Sequence, residues 1–135
     1  MKIIKQVKYK DKVVLNYYDS GVKKWYKNDL VHKENAPAVE HPDGSKYWYK
    51  EDKLHREDGP AIEYADGSKS WWMHGELHRL NGPAVEWSDG EKAWWINGKQ
   101  ISQEKFNQLS NLRELKVDLI KELSNEQKLA KKIKM

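Results

Sequence analysis

Three histidines, His32, His55 and His78, stand 23 residues apart, and histidine is the side chain most suited to metal ligation and to proton transfer near neutral pH. Acidic residues recur among them, so a metal centre and an acid–base pair are the first chemistries to weigh. Neither suits the spacing. A repeat that contributes at least two strands sets equivalent residues about 10 Å apart, since neighbouring strands lie about 4.8 Å apart. Zinc holds its ligands about 2.0 to 2.3 Å away, and the chain has no cysteine to supply thiolates. No metal and no cofactor is therefore expected, and the histidines are expected to hydrogen-bond in turns.

The carboxylates recur once per repeat opposite lysines, which is the spacing of a structural ladder and not of a solitary acid–base pair. The glycines fall in repeated turns, and no phosphate-cradling loop or Ser/His/Asp arrangement is visible. An enzyme is not expected.

The elements that position these side chains come from one internal period. Pro37, Pro60 and Pro83 keep the 23-residue step of the histidines, as do Gly21, Gly44, Gly67 and Gly90. Lys23, Lys46, Lys69 and Lys92 follow, then Trp25, Trp48, Trp71 and Trp94, so four copies of a Gly-x-Lys-x-Trp core are present. A second aromatic follows each tryptophan: Tyr26, Tyr49, Trp72 and Trp95. Residues 9–31 form a degenerate first copy, and residues 32–54, 55–77 and 78–101 form fuller ones.

Turn chemistry separates the short segments. Pro42-Asp43-Gly44, Ala65-Asp66-Gly67 and Ser88-Asp89-Gly90 supply the glycine that a tight hairpin requires, and His74-Gly75 and Asn97-Gly98 mark further turns. The fold class expected is mainly β: an elongated meander of about four antiparallel hairpin repeats, closed by a C-terminal amphipathic helix. A loop at residues 65–67 pairs Glu63 with Lys69, and the same rule pairs Glu86 with Lys92 and Glu40 with Lys46. Each hairpin is thus expected to carry a cross-strand ion pair worth at most about 1 kcal/mol.

Beyond Ile101 the pattern changes. Ser102 is a good N-cap, Glu104 lies in the first turn, and Ile101 and Phe106 occupy the positions of a hydrophobic staple. Leu109, Leu112, Leu115, Leu119, Ile120 and Leu123 fall in one arc of the helical wheel. This stripe either caps the last repeat or pairs with another chain, and Leu112, Leu115, Leu119 and Leu123 are the candidates for a homodimer contact. Residues 102–135 are read as this helix and a basic tail, separate from the repeat domain of residues 1–101.

With 135 residues, 38% of them hydrophobic, the chain has room for one modest core. No apolar run approaches the roughly 18 to 20 residues that span a bilayer, and the segment Met1-Lys2-Ile3-Ile4-Lys5 lacks a signal-peptide core. A soluble, cytoplasmic protein without membrane contact is expected. Residues 1–31 carry eight Lys against three Asp, residues 32–101 nine basic against thirteen acidic, and residues 102–135 eight against five. Basic ends around an acidic middle are weak support for nucleic acid, which asks for positive charge gathered on one face.

The segments Trp71-Trp72-Met73-His74-Gly75-Glu76-Leu77-His78-Arg79-Leu80-Asn81-Gly82-Pro83-Ala84 and Trp94-Trp95-Ile96-Asn97-Gly98-Lys99 resemble the MORN-like repeats of small bacteriophage and bacterial proteins. The likeness covers roughly residues 17–101 and is to the variant marked His-Arg-x-Asp/Asn-Gly-Pro-Ala, here His55-Arg56 to Ala61 and His78-Arg79 to Ala84. Lys33 and Ala36 depart from it, standing where Arg and Gly are the rule. The tyrosine-glycine-tryptophan spacing of standard MORN units is missing, so lipid binding is not carried over. The resemblance implies a stack of hairpins with a role in protein contacts. In a phage setting it further implies an inhibitor of a host defence factor, acting in the host cytoplasm.

The second aromatics form either a core layer or an exposed platform. As a platform, Tyr26, Tyr49, Trp72 and Trp95, with His55, Arg56, His78 and Arg79 nearby in sequence, would suit a protein partner, because Trp, Tyr and Arg are enriched in binding hot spots. Stacking of single-stranded nucleic acid or nucleotides on the same rings, helped by the basic ends, is the rival use. Far-UV circular dichroism tests the architecture: hairpins over residues about 14–101 and helix from about 103 predict a dominant β signal, which a mainly helical spectrum would overturn.

Overall fold

The computed structural model describes residues 1–134; Met135, the end of the basic tail, lies outside the described residues. The chain divides into two compact units, Met1–Ile101 and Ser102–Met135. The first is an antiparallel β meander and the second a single helix, Gln103–Lys134. No helix among the described residues is long and apolar enough to cross a membrane.

An eleven-stranded sheet runs through the first unit, its strands paired largely in chain order. Its opening differs from the expected degenerate copy. Ile3–Lys8, not foreseen as a strand, pairs along its length with Val13–Tyr18, which pairs in turn with Lys23–Lys27. Val13–Tyr18 supplies Leu15 and Tyr18 to the buried interior and the turn after it supplies Val22, joined by Val39 from the next copy.

Later strands are far shorter. In the interior copies the chain makes two sheet residues, passes the first tryptophan, and then makes two more in a separate hairpin. Thus Lys46–Tyr47 and Lys69–Ser70 lie in the main sheet, whereas Tyr49–Lys50 with Lys53–Leu54, and Trp72–Met73 with Glu76–Leu77, form two-stranded sheets of their own. Two-residue strands cannot hold themselves, and bonds from copy to copy hold them instead. The Trp25, Trp48 and Trp71 backbone N–H groups donate to the carbonyls of Ala38, Ala61 and Ala84, which are fully buried. Lys33, Arg56 and Arg79 donate theirs to Tyr49, Trp72 and Trp95.

The register follows the turn arithmetic, with Glu40 opposite Lys46, Glu63 opposite Lys69 and Glu86 opposite Lys92. Pairing between copies extends it into one alternating row, Lys23, Glu40, Lys46, Glu63, Lys69, Glu86 and Lys92. The expected lysine ion pairs do not form. Among the described residues the cations that reach these carboxylates are Arg56, 3.3 Å from Glu63, and Arg79, 3.3 Å from Glu86. A guanidinium held in place by its own loop outcompetes a lysine free to stay hydrated. The neighbouring row faces the other way and holds the apolar residues Val39, Ile62 and Ala93 with Ser70.

The Asp-Gly turns form a second ladder. Asp43, Asp66 and Asp89 accept a hydrogen bond from the backbone N–H two residues on, closing each turn through the side chain. Ser45 and Ser68, buried beside them, each accept a bond from the following copy's turn, from the N–H of Ala65 and of Ser88. Glu91 stands where the next serine would, and the ladder stops there.

These backbone donors hold the carboxyls of Asp43 and Asp66 below the ordinary Asp value. A carboxyl whose pKa is depressed on folding stabilises the fold above its unfolded pKa, and that contribution is lost as pH falls through the folded value. Melting temperature should therefore decline as pH falls below about 4, and the decline should be smaller in Asp43→Asn/Asp66→Asn, whose amide oxygens accept the same bonds without titrating. An identical acid profile in that variant would place the sensitive groups elsewhere.

Candidate functional site

The repeat histidines sit at the base of each loop with the ring turned inward; His32 and His55 are buried. Their Nδ1 atoms accept hydrogen bonds from the backbone N–H of Glu51, His74 and Asn97, at 3.2, 3.0 and 3.0 Å. Each acceptor thus supports a residue at the far end of its own copy that is forced to positive φ, at 49°, 51° and 48°. The same contacts fix the tautomer, because a neutral imidazole that accepts at Nδ1 carries its proton on Nε2. That proton is donated to Glu34 at 2.7 Å in the first loop; in the second, Nε2 of His55 stands 3.5 Å from Glu57, at the edge of reach. His32 holds the Glu34 carboxyl below its ordinary value, chiefly by this bond.

His74 and His78 stand four apart, a metal-ligating spacing on a helix, but here the left-handed turn at His74-Gly75 separates them. Among the described residues no group of three His, Asp or Glu side chains gathers as a metal site would require.

The residue after each histidine is a cation laid over the first tryptophan of its hairpin. Lys33 Nζ lies 3.4 Å from the Trp25 ring centre, and the guanidinium carbons of Arg56 and Arg79 lie 4.0 and 3.8 Å from Trp48 and Trp71. Each guanidinium also clamps its loop. Arg56 donates to Asp58 at 2.9 Å, to the Pro60 carbonyl at 3.1 Å and to Glu63; Arg79 donates to Asn81 and the Pro83 carbonyl, both at 3.0 Å, and to Glu86. Arg56 holds the Asp58 carboxyl below its ordinary value.

This clamp explains the Gly-Pro step. A Cβ on Gly59 or Gly82 would lie 2.8 Å from the guanidinium carbon, closer than such atoms approach. The first loop departs at both partners together: Lys33 stands in place of the arginine and Ala36 in place of the glycine.

The second aromatics are half-buried. The Tyr26 hydroxyl lies 2.9 Å from that of Tyr18, and burial, with this bond added, pushes its pKa up to about 12. Tyr49 packs on the cluster of Tyr18, Val22 and Val39. The Trp72 indole N–H donates to Ser70 at 2.8 Å, and Trp95 lies opposite Gln100. A second row, not singled out from the sequence, stands one residue before each Pro/Ala/Ser-Asp-Gly turn: the half-buried His41 and the exposed Tyr64 and Trp87, again 23 apart. Tyr64 is 42% and Trp87 45% exposed. His41 stacks on Tyr47 at 5.1 Å, and Tyr47 meets Tyr64 edge-on at 6.3 Å. The period itself was the signal that could have found this row.

Between successive His-Arg loops lie two open clefts of about 410 and 580 Å³, floored by Trp48 and Trp71 and rimmed by Glu57 and Asp58. The predicted contact residues are thus divided: Tyr49, His55 and Arg56 line the first cleft and Arg56, His78 and Arg79 the second, where the histidines and arginines hold the loops together, whereas Tyr26, Trp72 and Trp95 line neither. Comparison with protein-family models, characterised proteins and solved structures finds no match to this chain.

Substitution Gly59→Ala should destabilise the protein by about 2 kcal/mol through steric conflict with Arg56. The double variant Arg56→Lys/Gly59→Ala, which copies the first loop, should recover about 1 kcal/mol of that loss, read as coupling in a urea-denaturation cycle. Strict additivity would show that the two positions do not act on each other.

Proposed function

We propose that this chain is a non-enzymatic protein-binding module that recognises its partner along the aromatic face of the sheet. The observation that carries the reading is the exposed rings of Tyr64 and Trp87, one 23-residue step apart, with the half-buried ring of His41 one step before them. Each leaves a turn whose backbone is closed by an Asp side chain, so the rings are held before any partner arrives. Rigid, exposed aromatics bind with little ordering cost, and Trp and Tyr are the residues enriched where binding energy concentrates.

Two features favour a protein over single-stranded nucleic acid. Every ring of the exposed row lies two residues from an aspartate, which opposes a phosphate backbone. The loop arginines are committed to tryptophan faces, carboxylates and carbonyls. The histidines that acid–base or metal chemistry would need are turned to backbone donors, in keeping with a binding role. The likeness to MORN-like repeats extends the proposal to a phage-encoded inhibitor of a host defence factor in the host cytoplasm.

The partner is identified by affinity capture and mass spectrometry, after which two double variants separate binding from folding. Tyr64→Ser/Trp87→Ser should keep the wild-type melting temperature and weaken partner affinity by about 100-fold. Trp72→Ser/Trp95→Ser, which removes half-buried rings, should lower the melting temperature as well. Unchanged affinity in the first variant would end the proposal, and tight, steeply salt-dependent binding of a labelled oligonucleotide would install the rival.

A further inference from the structure

The helix Gln103–Lys134 carries a long apolar seam that the described chain leaves open: Leu112 is 61%, Leu119 55%, Leu123 50% and Ile133 77% exposed. Leu109, Leu112, Lys116, Leu119, Leu123, Glu126, Ala130 and Ile133 alternate in steps of three and four, the spacing of the a and d positions of a coiled coil. Two charges of opposite sign, Lys116 and Glu126, interrupt the seam. They decide what can cover it.

We propose that the occupant is a second copy of this helix, docked antiparallel. In an antiparallel pair each a position meets a d position of the other chain. Placing Leu119 against Leu123 brings Leu112 against Ala130, Leu109 against Ile133, and Lys116 against Glu126, each layer occurring twice. Both interruptions are then neutralised by each other. Sliding the helices by one heptad sets Lys116 against Leu119 or Ile133, and a parallel pair sets Lys116 against Lys116 and Glu126 against Glu126. An apolar groove of another protein would bury both charges unpaired, which costs far more than a matched pair. The seam is therefore self-complementary in one direction and one register.

The flanking positions agree. Ile120, 57% exposed, meets its own copy at the centre of one flank, and Leu115, 65% exposed, meets Leu129, 59% exposed, on the other. Glu122 meets its own copy at the solvent edge, the one like-charge contact of the arrangement. Of the exposed large apolar residues of the helix, among the described residues, Val117 alone falls outside both the seam and its flanks.

Sedimentation of the full chain should show a dimer at about 100 µM. Lys116→Glu and Glu126→Lys should each raise the dimer dissociation constant at least about tenfold, whereas the two mixed together, or combined in one chain, should restore it. Orientation is read by disulfide formation in a chain that has no cysteine of its own. Leu112→Cys mixed with Ala130→Cys should cross-link between the two variants, and Leu112→Cys alone should not. Circular dichroism confirms that each variant keeps its helix. A monomer at that concentration, failure of the charge swap to restore dimerisation, or self-cross-linking of Leu112→Cys would each overturn the proposal.

Discussion

The stack of a cation on a tryptophan is the contact on which each repeat depends. Twenty-three residues cannot enclose a core, and the largest apolar surface they own is the indole of Trp25, Trp48 or Trp71. A guanidinium is flat enough to cover it and still has donors left, which Arg56 and Arg79 give to a carboxylate, a carbonyl and an amide within their own loops. One side chain thus shields the ring, closes the His-Arg-x-Asp/Asn-Gly-Pro loop and neutralises a glutamate of the charged row. The glycine before each proline follows from it, since the guanidinium occupies the place of a side chain. In the loop of Lys33, where the cation is not a guanidinium, the position before the proline is Ala36 and not glycine.

Copies are then joined by side chains bonding to backbone. Ser45 and Ser68 each hold a turn of the following copy, while His32, His55 and His78 each hold the N–H of the strained turn within their own copy, at the other end of the hairpins. A histidine that accepts at Nδ1 is a cross-brace, and its 23-residue recurrence records the spacing of turns that need bracing. Chemistry-bearing residues at a regular step are thereby explained by mechanics.

Much of this was legible before any coordinates. The period, the Asp-Gly turns and the pairing of Glu63 with Lys69 follow from glycine placement, because a two-fold strand alternation and a fixed loop leave one register. The start of the helix after Ser102 was equally plain from its cap. What escaped was set by competition between side chains. Glu63 has Lys69 opposite it on the strand, yet Arg56, seven residues earlier, reaches it, and no register rule ranks the two. Ile3–Lys8 was missed because its partner strand, not its own short pattern, makes it β. Tyr64 and Trp87 were overlooked because exposure depends on what covers a ring, and a repeated aromatic reads the same whether covered or bare.

The period also explains where the array ends. After His32-Lys33, His55-Arg56 and His78-Arg79, a fourth such pair would fall at residues 101 and 102, where the chain has Ile101 and Ser102. Neither can brace a turn or cover an indole, so the copy beginning there has nothing to fold around. Ser102 instead turns its hydroxyl to the N–H of Lys105 and caps a helix, the one element that satisfies its own backbone without a neighbour. At the other end the missing histidine is replaced by long strands, which need no brace because their ladders run five residues or more. The outermost, Ile3–Lys8, carries Lys5 and Lys8 along its free edge, and charged edges resist further strand addition. Each end is closed by a different solution to the same deficit, the absence of the next repeat.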